Sequence, residues 1–184
     1  RAIEFALFLT GPSAVALVVI PETLIGTLFQ RGRFTAEDTA ATALAVAIYG
    51  LGLPAFVMQK VLQPLYYARE DTRSPFRFAV VAMVVNVVLA IGLSPVIGYL
   101  AAAVATSAAG WAMMALLWRG ARDMGPAAQI DDRLRRRVWR ILAASAGLGA
   151  VLILGEWALR PLAAITRGGA LALLVIGGSA LYFV

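Results

Sequence analysis

Residues 78–118 read FAVVAMVVNVVLAIGLSPVIGYLAAAVATSAAGWAMMALLW, forty-one positions without one charge. As a single helix this stretch would be roughly 60 Å long, about twice the hydrocarbon thickness of a bilayer. It must therefore fold back, and Gly92, Ser94-Pro95 and Gly98 supply the turn residues. Two membrane-spanning helices are predicted, at about 76–93 and 97–118.

The same pattern repeats on both sides of this hairpin. Upstream, residues 39–68 form an apolar run containing Pro54 and Lys60, and residues 5–29 form another, broken by Pro12 and by Pro21-Glu22. Between them lies a polar turn at 30–38, in which Thr35 and Asp38 have capping-box spacing. Downstream, the polar stretch 119–137 is broken by Gly125-Pro126, and Asp131 or Asp132 is placed to cap a helix entering the membrane at Val138. The remaining helices are expected at about 3–29, 38–67, 136–159 and 167–184. The fold class is thus all-α: a polytopic transmembrane bundle of about six helices, residues 1–184 forming one transmembrane domain. Arg1 and Glu4 lead straight into an apolar run, with no secretory signal pattern, and the chain closes inside another at Val184, so a fragment of a larger protein is expected.

Composition agrees. The 184 residues are 61% hydrophobic and only 14% charged, too much apolar surface for a soluble fold of this length to hide. Cysteine and histidine are absent, which excludes disulfides, thiol catalysis, Cys/His zinc sites and Ser-His-Asp triads. No phosphate-binding glycine loop and no catalytically spaced carboxylate pair is present, so no enzyme is indicated and no cofactor is implied.

The net charge of +6 reflects topology rather than nucleic-acid binding. Ten arginines, at 69, 73, 77, 119, 122, 133, 135, 136, 137 and 140, fall in loops on one side, against four at 31, 33, 160 and 167 on the other. The richer side reads as cytoplasmic, which places both ends of the chain there. Tyr66-Tyr67, Trp118 and Trp139 then fall at the cytoplasmic interface and Trp157 near the outer one. No short internal repeat is visible, and transporters join repeated halves of about this size, so a partner half upstream is expected.

The helix at 38–67 carries the most distinctive side chains. At 100° per residue Gln59, Lys60, Gln63, Tyr66 and Tyr67 fall in one arc of about 120°, with Met58, Val61, Leu62 and Leu65 opposite. Such a stripe should face protein or water rather than lipid. Gln59, Lys60, Gln63 and Tyr67 are accordingly candidates to line a substrate path, with Lys60 as the cation for an anionic group. The alternative is that Lys60, about 10 Å from the helix end, snorkels to the interface. Pro54 leaves a carbonyl unpaired one turn earlier and is a candidate hinge.

The loop holding Arg69, Asp71 and Arg73 is either a cytoplasmic gate or a tight salt-bridged turn. The arginines at 133–140 either hold anionic lipid headgroups or express positive-inside bias. Asn86 is read as an interhelix packing residue, and Ala102, Thr106 and Gly110 as a small-residue packing stripe. Glu4 and Glu156 are acids at membrane edges, each a candidate proton or ion ligand, although a carboxylate is cheap to keep at an interface.

Two stretches resemble a known family. Residues 28–39, LFQRGRFTAEDT, are similar to the periplasmic turn of the MurJ/MviN lipid II flippases. Gly52-Leu53-Pro54-Ala55-Phe56, Lys60-Val61-Leu62 and Tyr66-Tyr67-Ala68-Arg69-Glu70-Asp71-Thr72-Arg73-Ser74-Pro75 resemble the next helix and its cytoplasmic turn. The likeness is strongest over residues 1–80 and continues beyond by hydropathy. It implies a multi-pass protein of the bacterial inner membrane, the last six of fourteen helices in a two-lobed exporter of the multidrug/oligosaccharidyl-lipid/polysaccharide superfamily. That family flips a polyprenyl-pyrophosphate-linked peptidoglycan precursor, lipid II, by alternating access through a cationic cavity. The implied partners are lipid II or a similar lipid, membrane lipids and a missing amino-terminal lobe, with no nucleic acid. A groove for the lipid tail would fall at 138–184. The family's best-known cavity arginines match no position in this chain, so Lys60 corresponds only as a matching position. An exporter of another polyprenyl-linked oligosaccharide or of a drug, and a non-transporting membrane scaffold, are the rival readings.

Overall fold

The computed structural model describes residues 2–124 and 132–163. All of its regular structure is helical: α1 (Ala2–Val19), α2 (Pro21–Phe29), α3 (Ala36–Tyr67), α4 (Arg73–Ile97), α5 (Leu100–Ala121), a 3-10 turn (Arg122–Met124) and α6 (Asp132–Ala163). Five of these helices, all but α2, are long and apolar enough to cross a membrane. The helix expected at 167–184 lies outside the described residues, as does Asp131.

The expected helix 3–29 is two helices. Pro21 forces the preceding residue out of the helical region, and Ile20 takes φ −122° and ψ 40° between α1 and α2. Pro12, by contrast, is absorbed inside α1. The fold-back in the uncharged stretch also differs from expectation. Helix α4 runs through Gly92 and Pro95, and the chain reverses at Gly98, where φ is +56° and ψ −130°, a region a side chain would not tolerate. Helix α6 extends about a turn further at each end than the expected 136–159.

The predicted capping box at the start of α3 is formed. Asp38 N–H donates to Thr35 Oγ1 at 3.2 Å, and Thr35 N–H donates to Asp38 Oδ2 at 2.9 Å. Thr35→Ala should cost about 1 kcal/mol, read as faster hydrogen exchange in the first turn of α3 with the rest of the protein unaffected.

The helices pack in the spatial order α6, α1, α3, α5, α4, with α2 against α3. Directions follow from the contacts. Gly50 of α3 meets Ala14, Leu17 and Val18 of α1, and Gly26 meets Thr39, so α3 runs antiparallel to α1–α2. Gln59 bonds to Gly110 and Tyr66 to Leu117, so α5 runs parallel to α3. Close approach is possible because α5 presents small residues: Ala101, Ala103, Ala105, Ser107, Ala109 and Gly110 are all buried. Two cores result, one of Ile20, Leu148 and Leu152, the other of Leu62, Tyr66, Leu117 and Ala121. Helix α4 leans on α5 and scarcely on α3, and leaves Phe76, Met83, Val88 and Ile91 exposed.

Candidate substrate path on the third helix

The polar stripe on α3 divides into two faces. Gln59 is buried, and its side-chain amide donates to the Gly110 carbonyl at 2.8 Å. Tyr66 is 1% exposed, donates its hydroxyl to the Leu117 carbonyl at 2.7 Å and meets Phe78 edge-to-face. Both side chains belong to the α3–α5 seam, so Tyr66 near the end of α3 faces protein rather than lipid. Lys60 and Tyr67 point away from that seam and are exposed, and Gln63 is half-buried beside them. The wheel explains the split, since Lys60 and Tyr67 lie 80–100° round from Gln59, enough to place them on the next face.

Among the described residues Lys60 has no ion-pair partner. A cation on an uncovered membrane-helix face needs water or an anion beside it. A groove of about 330 Å³ opens between α3 and α4, floored by α5 and lined by Phe56, Gln59, Met83, Asn86, Thr106 and Met113; of the four path candidates Gln59 alone lines it, and Lys60, Gln63 and Tyr67 do not. The Asn86 amide donates to Thr106 Oγ1 at 3.2 Å, tying α4 to α5 at the groove floor.

Pro54 does not interrupt α3, which is continuous through it and through Pro64. Helix α5 braces the turn before it: Ser107 donates its hydroxyl to the Ile48 carbonyl at 2.9 Å, and Trp111 donates its indole N–H to the Leu51 carbonyl at 3.0 Å. These two donors were not singled out in the sequence. The small residues around them were the available signal, because a close helix pair brings side-chain donors within reach of the neighbouring backbone.

The turn after α3 is fixed at both ends. The Arg69 guanidinium donates to the Met124 carbonyl beyond α5. Glu70 adopts φ +58°, the left-handed conformation that lets the chain reverse. Asp71 Oδ1 accepts the Ser74 N–H at 3.0 Å and so caps α4. The Arg73 side chain is exposed at the start of α4, and only its backbone N–H reaches Asp71. The Ser74 hydrogen bonds, helped by Arg73 N–H and the Arg77 charge, hold the Asp71 carboxyl below its ordinary value of 3.8. A carboxyl whose folded pKa is lowered stabilises the turn above its unfolded pKa and stops doing so as pH falls through the folded one. The turn should therefore loosen as pH falls through and below the ordinary carboxylate value of 3.8, seen as lower amide protection factors at residues 72–76, and Asp71→Asn should remove that pH dependence.

The family model described as "Lipid II flippase MurJ" matches residues 1–168. The chain belongs to the MurJ family. A probable lipid II flippase MurJ from Rhizobium tropici is 40% identical over 189 residues, covering all of this chain and 35% of that protein. One from Rhizobium meliloti is 40% identical over 193 residues with the same coverage, and one from Vibrio cholerae is 37% identical over 150 residues, covering 82% of the chain and 28% of that protein. A solved structure described as lipid II flippase MurJ in an inward closed conformation superposes with TM-score 0.82 and 24% identity, over 98% of this chain and 36% of that one. That likeness is one of fold. The chain spans about a third of the length of the MurJ relatives it matches, so faces exposed here include those that would meet the rest of a full-length protein.

Proposed function

We propose that this chain is the carboxy-terminal six-helix part of a bacterial inner-membrane flippase that carries lipid II, or a closely similar polyprenyl-pyrophosphate lipid, from the inner to the outer leaflet by alternating access. The family match over residues 1–168 carries this reading. The protein is then a transporter, not a catalyst. Its arginine-rich loops face the cytoplasm, as the Lys/Arg asymmetry indicates. Lys60, with Gln63 and Tyr67, lines the path on the side of the missing amino-terminal lobe and offers a cation to the pyrophosphate. Gln59 shapes the groove wall, and Pro54 adapts α3 as the lobes move. Arg69 and Asp71 set the cytoplasmic turn, with Arg73 beside it, and stabilise one state.

The test is outer-leaflet lipid II in cells depleted of their own flippase and expressing the full-length parent, read by cleavage with an externally added lipid II-cleaving toxin. Restored cleavage and growth are expected. A stable, inserted protein that leaves cleavage low would reject this cargo and favour another polyprenyl-linked cargo or a scaffold.

A further inference from the structure

Helix α6 runs parallel along α1 and reaches α2 through a hydrogen bond beyond the break. Glu4 Oε2 accepts from the Arg137 guanidinium at 2.5 Å, and Thr23 donates its hydroxyl to Glu156 Oε1 at 2.5 Å. Both pairs are separated by 133 positions in the chain. Between them the helices touch closely: a Cβ on Gly11 would lie 2.6 Å from Ser145 Oγ, and one on Gly149 would lie 3.0 Å from Val15. The break at Ile20 falls inside this interval, and Ile20 itself, 1% exposed, is buried against Leu148 and Leu152.

The geometry points to α6 acting as a splint. One ion pair fixes it to α1 before the break and one hydrogen bond fixes it to α2 after the break, while α6 passes the level of the break as continuous helix. A helix interrupted at a proline is ordinarily a place where two halves can swing. Helix α3 already packs against both halves; α6, latched to each of them, fixes the remaining freedom, so that α1, α2 and α6 move as one body and conformational change in the full-length protein leaves the angle between α1 and α2 unchanged. The two acids are thereby assigned. Glu4, its side chain 15% exposed, balances Arg137 at one end, and Glu156 accepts a hydroxyl at the other, so both serve the splint rather than an ion path.

The test uses the full-length parent in lipid nanodiscs, with any cysteines outside this chain replaced and nitroxide labels at Leu9 and Leu28, exposed positions on either side of the break. Pulsed electron-spin distance measurement should give one narrow distance, the same whether the protein is trapped open to one side of the membrane or to the other. The double variant Glu4→Met, Thr23→Val, which removes both latches at similar side-chain volume, should show a second distance population. A parent that already has two populations would overturn the splint, and so would a folded double variant with the parent's single distance. A second measurement does not depend on how that variant folds. A Cβ on Gly11 lies 3.7 Å from the Ser145 Cβ, within the span a disulfide bridges. Gly11→Cys, Ser145→Cys should therefore oxidise to completion under mild oxidant. A mostly free thiol pair would show that α1 and α6 part, and would overturn the proposal as well.

Discussion

Tyr66→Ala should cost about 3 kcal/mol of stability, as expected for removing a buried aromatic ring that its surroundings cannot refill. The ring sits where three helices meet. It lies on α3, donates its hydroxyl to Leu117 of α5 at 2.7 Å, and meets Phe78 of α4 at a centroid distance of 6.1 Å. Gly120 leaves room for the hydroxyl, since a Cβ there would come within 2.5 Å of it. In lipid the gain from excluding water is absent, so the helices hold together by packing and interhelix hydrogen bonds. An alanine would remove the packing as well as the bond. Tyr66→Phe removes only the bond and should cost about 0.6 kcal/mol, the average for such bonds in a membrane protein. The comparison of the two, by denaturant unfolding of the full-length protein in micelles, separates ring from hydroxyl. Equal costs for the two would mean that the ring is not what joins α3, α4 and α5. Gly120→Ala should resemble the phenylalanine variant or exceed it, since its methyl competes for the space of the hydroxyl.

Tyr66 also marks the limit of what could be read from the chain. The membrane class was legible because 41 uncharged residues leave no soluble alternative, and the capping box of α3 was legible because Thr35 and Asp38 satisfy each other locally. Features that depend on two helices meeting were not. A helical wheel treats Gln59, Tyr66, Lys60 and Tyr67 as one polar arc. Only the neighbour decides which edge of that arc is buried, and α5, with Gly110 opposite Gln59, claims one edge. The turn was legible only in part, at Gly98, for a related reason. Gly92, Pro95 and Gly98 are equivalent as helix breakers on paper, but a membrane helix carries a proline or a glycine when its length demands it. Only Gly98 takes a backbone conformation closed to other residues. The break at Pro21 was written in the chain, but the hydrogen bond from Thr23 to Glu156 beyond it joins positions 133 apart, which no local pattern reveals.

Lys60 carries the functional prediction with the largest expected effect. Lys60→Glu in the full-length protein should lower the appearance of lipid II in the outer leaflet at least about tenfold, equivalent to about 1.4 kcal/mol, while the amount of inserted protein stays normal. The side chain is exposed and has no ion-pair partner among the described residues, so reversing its charge breaks nothing in the packing described above. The effect must come from whatever approaches that face. At 4 Å from a phosphate oxygen, with the effective dielectric of a protein surface, a unit charge is worth about 4 kcal/mol before desolvation; an acid in its place repels with similar strength. Lys60→Arg should keep most activity, because a delocalised cation still faces the anion, although the compact ammonium is lost. Lys60→Ala should fall between the two. A snorkelling lysine predicts a different order, since its stem and charge serve only to reach the interface, and Glu, Ala and Arg would then flip lipid equally well. Toxin cleavage of surface lipid II across the three variants, normalised to inserted protein, distinguishes them: a graded loss in the order Arg, Ala, Glu places the charge in the substrate's path, and a flat series removes Lys60 from it.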